Sequence, residues 1–242
     1  MIKKKTEKFQ RRDMQYLSQR EKVANAIGRP DLWSMIDQFG LYVGTQTLGT
    51  RLAVYEIMKE CMNVPGHIAE FGCWHGSNLL FMAKVIQLLQ PNTYKYIYGF
   101  DSFEGLRTFA PEDKDTLDNL GQYQGDEGTL HSMIELFEMD EWVCLVKGVV
   151  DETIPVFAKE HPGLMLSLAY IDLDLYEPCK LALKFSHGCL VSGGIIVLDE
   201  AMMRSWPGEG QALAEFLSEH GSEYYTKNIP FARQPTVYLV KK

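Results

Sequence analysis

Apolar positions along this chain recur with two different periods. Residues 7–27 read as helical, and residues 49–62 repeat Leu52, Ala53, Tyr55, Ile57 and Met58 at helical spacing. Gly28-Arg29-Pro30 breaks the first segment and Val64-Pro65-Gly66 ends the second, with a further helix over 31–40 between them. After residue 66 the pattern changes to short apolar runs, which predict strands over 67–71, 96–100, 142–147, 166–171 and 195–198. Helical segments over 77–90, 129–138, 154–159 and 177–188 separate them. Strand alternating with helix predicts βαβ units and a mainly parallel sheet, so the expected class is α/β. A helix over 211–220 and strands over 223–226 and 236–240 then predict a closing antiparallel hairpin on the sheet edge. Residues 107–128 and 201–210 read as long loops, the usual place for lids and substrate loops. The expected organisation is a helical extension over 1–62 and a sheet domain over 63–242.

Four predicted strands end in carboxylates: Glu70, Asp101, Asp172 and the pair Asp199-Glu200. In a parallel sheet these ends share one rim, where open α/β sheets bind ligands. A single strand-end acid is often a helix cap or turn former, but four fit a binding edge better. The first acid opens Glu70-Phe71-Gly72-Cys73-Trp74-His75-Gly76, an E-x-G-x-x-x-G turn between strand and helix. Its spacing matches neither the G-x-G-x-x-G of dinucleotide folds nor the phosphate loop, and it lacks the lysine a triphosphate wants. A nucleoside with a short uncharged linkage suits it, and S-adenosylmethionine is such a molecule. Glu70 is placed to hold the amino end, and Asp101, followed by Ser102, to accept from the ribose hydroxyls.

The second group has different chemistry. Asp172 and Asp174 follow one strand, and Asp199 and Glu200 follow the next. Neighbouring strands lie about 4.8 Å apart, so these carboxylates crowd unless protonated or bridged by a cation. Oxygen-only ligands favour Mg2+ or another hard divalent ion. Asp172 then becomes the simplest general base for an acceptor hydroxyl. The competing reading has some of these acids capping helices or pairing with Arg204 or Lys180.

Composition narrows the field. The chain has 242 residues, 46% hydrophobic and 23% charged, which suits one α/β domain with a full core. No apolar stretch approaches the roughly 20 residues that span a bilayer. The net charge of −8 argues against a general nucleic-acid binder. The cluster Lys3, Lys4, Lys5, Lys8, Arg11 and Arg12 reads as a solvated helix end without the apolar segment of a signal peptide. Five cysteines, an odd number with no C-x-x-C pair, read as reduced thiols. The expectation is a cytoplasmic enzyme with a small-molecule acceptor and no membrane or nucleic-acid partner. Trp206, on the second long loop, is placed to stack on such an acceptor.

Several blocks occur in one order: Glu70 to Gly76, Phe100-Asp101-Ser102-Phe103-Glu104-Gly105-Leu106, Gly148 to Pro155, Asp172-Leu173-Asp174-Leu175-Tyr176-Glu177 and Gly193 to Glu200. Together they resemble the macrocin O-methyltransferase (TylF-type) family, over about residues 45–216. The resemblance implies a Rossmann-like class I methyltransferase fold with a seven-stranded sheet, S-adenosylmethionine as cofactor, and Mg2+ held by acids after the fourth and fifth strands. It makes Asp172, Asp199 and Glu200 the expected metal ligands, with Asp172 also the base. Glu70, Gly72, Cys73, Trp74 and Gly76 become the cofactor turn, Gly148, Val149 and Asp151 the adenine side, and Thr45, with Thr47 or Arg51, part of a cofactor cover. Tyr176 and Trp206 fall on the acceptor side. The sequence departs from the family at His75, Ser77, Leu173 and Glu200, where Arg, Gly, Gly and Asp are usual. The implied reaction is O-methylation of a sugar hydroxyl on a natural product. Metal-dependent methylation of a catechol or phenol, and a non-catalytic cofactor-binding scaffold, are the alternatives. A homo-oligomer through the helical N-terminus is expected by analogy.

Overall fold

The computed structural model describes residues 2–107 and 109–242, with side chains from Asp13 onward other than that of Asp115. The basic side chains from Lys3 to Arg12 therefore lie outside the described ones. The chain begins with α1 (Ile2–Ala26), α2 (Leu32–Ile36), α3 (Phe39–Tyr42) and α4 (Thr45–Cys61). It continues through β1 (His67–Phe71), α5 (Ser77–Leu89), β2 (Ile97–Asp101), a 3-10 segment (Pro111–Asn119), α6 (Glu127–Leu136), β3 (Val143–Lys147) and α7 (Val150–Glu160). The last third holds β4 (Leu166–Ile171), α8 (Tyr176–Cys189), β5 (Leu190–Leu198), α9 (Pro207–His220), a short 3-10 turn (Gly221–Glu223), β6 (Tyr224–Lys227) and β7 (Val237–Lys241).

The described strands form one sheet in the order β3-β2-β1-β4-β5-β7-β6. The four pairings that join the five strands from β3 to β5 are all parallel, and β7 runs antiparallel to both β5 and β6. The chain reverses order between β1 and β4, the switch point at which such sheets bind ligands. Residues alternate between the two faces. Ile68, Ile97, Leu168, Tyr170, Ile195 and Val197 pack under α4 and α5, while Ala69, Phe71, Phe100, Ala169, Ile171, Ile196 and Leu198 pack under α7, α8 and α9. Burial on both faces explains why these strands read as continuous apolar runs. A third small cluster, Ala24, Trp33 and Leu136, ties the N-terminal helices to α6. No described helix is long and apolar enough to cross a membrane.

Several segments differ from the sequence expectation, among them β5 and α7, which begin five and four residues earlier than expected. The helix expected over 31–40 is split into α2 and α3, and α4 begins four residues earlier than the apolar repeat. The loop expected over 107–128 contains the 3-10 segment, fastened by the buried Asp113, whose carboxylate accepts from the backbone N–H of Ala110 and Tyr176. The loop expected over 201–210 is shorter, because Pro207 occupies the first turn of α9. Proline is suited there by its fixed φ and missing N–H.

Candidate active site

The rim is built by tight turns. Directly after β1, Gly72 has φ +88°, and a Cβ there would collide with the carbonyl oxygen of Asp172 at the end of β4. Only a residue without a side chain lets the two strand ends approach this closely. The Asp172 N–H donates to Phe71 O at 2.8 Å, and the Asp199 N–H to Ile171 O at 3.1 Å. Three neighbouring strand ends are thus laced together.

Asp101 organises the half of the cleft beside the glycine turn. Its Oδ2 accepts from the N–H groups of Cys73 and Trp74, each at 2.7 Å, and its Oδ1 accepts from the N–H of Phe103 at 2.6 Å. The carboxylate therefore locks the glycine turn against the end of β2 and keeps oxygen lone pairs toward the cleft it lines. Gly72, Trp74, Ser102, Gly148, Val149 and Asp151 line the same half. The Cys73 thiol is buried among Glu70 O and Phe100 O, so this residue contributes its backbone. Gly76, φ +75°, faces the Leu130 side chain, and its role is to admit α6 rather than a ligand. Thr45 is exposed at the start of α4 and does not line the cleft.

Glu70 is 1% exposed. Its Oε1 accepts from Asn78 Nδ2 at 2.9 Å, and Asn78 in turn accepts from Arg51 at 2.7 Å. Its Oε2 is buried without a partner. Burial pushes its carboxyl up to about 8 against the opposing pull of Asn78 and Arg51. An unpartnered buried oxygen of this kind fits an ammonium group. Replacing Glu70 by Gln keeps the shape and removes the charge. The expected result is cofactor affinity about tenfold or more weaker, with melting temperature equal or higher, because a neutral group costs less to bury. Calorimetric titration and thermal melting of the variant check both.

The carboxylate half holds Asp172, Asp174 and Glu200, whose ligand oxygens lie within 4.8 Å of one another. Asp174 reaches the group because it adopts φ +63°, a left-handed conformation that aspartate tolerates. Burial, then the charges of Asp199 and Glu200, hold Asp172 well above the usual carboxylate range. Burial pushes Asp174 up to about 7 and Glu200 up to about 10. Glu200 Oε2 is buried without a partner. A cluster that must share protons when alone is suited to a hard divalent cation. Asp199 stands beside it, its carboxylate accepting from the Tyr170 hydroxyl and, at 2.7 Å, from Gln234 Nε2. Gln234 also donates to Glu200 Oε1 at 2.9 Å.

Tyr123, Trp74 and Trp206 wall the mouth, with ring centroids 6.2 Å apart for Trp74–Tyr123 and 5.9 Å for Tyr123–Trp206. Trp206 lines the cleft. Tyr176 does not. Its ring packs in the core under α8 and α9, and its hydroxyl donates to Glu215 and accepts from Lys180. It does not line the cleft, and it opens α8 with its N–H on Asp113.

Sequence reasoning passed over Asn78, Gln234, Tyr123 and Glu209. Glu209 is wholly buried in the first turn of α9, and its Oε1 accepts from the Glu200 N–H at 3.0 Å. An acid two residues after a helix-opening proline was the signal for it. Gln234 arrives from the β6–β7 connection and left no local sign.

Comparison with known proteins adds an independent finding. Residues 33–231 match the macrocin O-methyltransferase (TylF) family. A Streptomyces olivaceus protein described as 8-demethyl-8-(2,3-dimethoxy-alpha-L-rhamnosyl)-tetracenomycin-C 4'-O-methyltransferase is 28% identical over 145 residues, covering 57% of this chain. That match spans about half the relative's length, 53%. Among solved structures, a calicheamicin methyltransferase superposes with TM-score 0.77 at 24% identity, covering 93% of this chain and 91% of its own. The apo structure of a TDP-rhamnose 3'-O-methyltransferase of calicheamicin biosynthesis gives TM-score 0.67 at 25% identity, covering 93% and 92%.

Proposed function

We propose that this chain, which belongs to the macrocin O-methyltransferase (TylF) family, transfers the methyl group of S-adenosylmethionine to a sugar hydroxyl with the help of Mg2+. One observation carries the reading: the glycine turn held by Asp101 and the carboxylate cluster around Asp172 line one cleft. The rhamnose-directed activities stated for two relatives support the choice of a sugar. The unpartnered Glu200 oxygen supports the cation. Residues 63–242 act as the catalytic domain, and residues 1–62 as its helical extension and cover.

In this reading Glu70 holds the cofactor's amino end and Asp101 its ribose, while Gly148, Val149 and Asp151 flank the base. Asp172, Asp174 and Glu200 hold the cation, with Asp199 as the adjoining charge. Bound there, S-adenosylmethionine supplies an electrophilic methyl group and Mg2+ a positive charge that makes an acceptor hydroxyl more acidic. Asp172, fixed by its N–H on Phe71 O, accepts the hydroxyl proton. Trp206 and Tyr123 exclude water and offer a flat face to the sugar ring.

The test is methyl transfer from labelled S-adenosylmethionine to rhamnosides, other glycosides and catechols. The expected result is transfer to a glycoside, lost with EDTA and restored by Mg2+. Cofactor binding without transfer to any glycoside, or preference for a catechol, contradicts it.

The raised carboxyls also set a pH dependence. Glu70 and Glu200 rise from about 4.3, and Asp174 from about 3.9, in the unfolded chain, to about 8, 10 and 7 in the folded one. Between those limits the folded state binds more protons than the unfolded, so stability falls as pH rises. The cation-free protein is expected to melt lower at pH 8.5 than at pH 5.5, and Mg2+ to raise the melting temperature more at the higher pH. A melting temperature independent of pH and Mg2+ contradicts this.

A further inference from the structure

We infer that the junction of α8, α9 and β6 is a second metal site, built for a borderline cation such as Zn2+. His187 in the last turn of α8, His220 at the end of α9 and Glu223 before β6 each offer a ligand atom, all within 4.8 Å of one another. None of these residues lines the methyltransferase cleft. The donor set is two imidazole nitrogens and one carboxylate oxygen, which selects Zn2+ or a neighbouring transition metal over Mg2+. The cleft cluster, all oxygen, selects the reverse.

Three features of the surroundings favour a cation here. Two helix C-termini converge on the spot, and each contributes partial negative charge. The His187 Nδ1 meets the Tyr224 hydroxyl at 2.8 Å, which fixes the ring and leaves Nε2 for coordination, as the outer partners of metal-binding histidines do. The His220 Nδ1 lies 3.1 Å from Glu223 Oε1, about the separation of two ligands on one tetrahedral zinc with bonds near 2.0–2.1 Å. The two imidazole rings are 4.0 Å apart and pack on Phe216, so they are already gathered. Lys241 points its ammonium at the His187 and Leu190 carbonyls, and Glu219 stands 3.8 Å from His220 Nε2 as a further acidic neighbour. Binding ties the far ends of α8 and α9 to the edge strand.

The full-length protein, saturated with Mg2+ to occupy the cleft, is titrated with Zn2+ by calorimetry, and Co2+ is followed by its visible spectrum. The expected result is one Zn2+ per chain, a raised melting temperature and a tetrahedral Co2+ spectrum. His220→Ala and Glu223→Gln should each weaken binding about tenfold or more, and Tyr224→Phe about tenfold, since even outer partners of a metal ligand cost that much. His220→Ala should keep wild-type circular dichroism, which shows that it folds. Wild-type protein without a Zn2+ site, or with one that His220→Ala leaves unchanged, overturns the inference.

Discussion

Asp172→Asn is expected to cut methyl transfer by about 10²- to 10⁴-fold, the usual worth of a positioned general base, while cofactor affinity changes only a few-fold. The substitution keeps the size of the side chain and the N–H bond to Phe71 O. It removes the proposed base and one carboxyl from the Asp172, Asp174 and Glu200 cluster. Asp101, on the other half of the cleft, and the buried Glu70 beneath the glycine turn keep their partners. Steady-state kinetics beside calorimetric titration separate the two effects. Wild-type turnover in Asp172→Asn would remove Asp172 from the role of base.

The largest stability effect is expected from Gly72→Ala. The new methyl group would enter the carbonyl oxygen of Asp172, which is backbone and cannot swing aside. The residue also sits at φ +88°, where an L side chain is strained. The two strand ends must separate, at a cost of about 4 kcal/mol or more. For a chain of this size that lowers the melting temperature by about 10 °C, and cofactor binding is lost with it. Thermal melting of the purified variant, or its failure to accumulate as folded protein, is the measurement. A Gly72→Ala protein with wild-type melting would mean that β1 and β4 do not meet as described.

The two expectations share a cause that is partly written in the sequence. β1, β2, β4 and β5 were legible because burial on both faces makes each a run of apolar residues ending in an acid. Parallel pairing then put Glu70, Asp101, Asp172 and Asp199 on one rim without further information. What the sequence hid depends on distant segments. The 3-10 segment is polar and looked like an open loop, yet Asp113 pins it to the start of α8. Asp174 joins the carboxylate cluster through a left-handed turn that no periodicity announces. Gln234 reaches Asp199 and Glu200 from the far hairpin. Tyr176 was misplaced because it follows the carboxylates Asp172 and Asp174 in the chain, while the first turn of α8 rotates its ring into the core.

The shared cleft is tested most directly by a crystal structure grown with S-adenosylhomocysteine and Mn2+, read by anomalous scattering from the manganese. The adenosyl group is expected over the Gly72 turn, with its ribose on Asp101, and a single manganese peak among Asp172, Asp174 and Glu200. An adenosyl group lodged elsewhere, or manganese bound away from those carboxylates, would contradict the account.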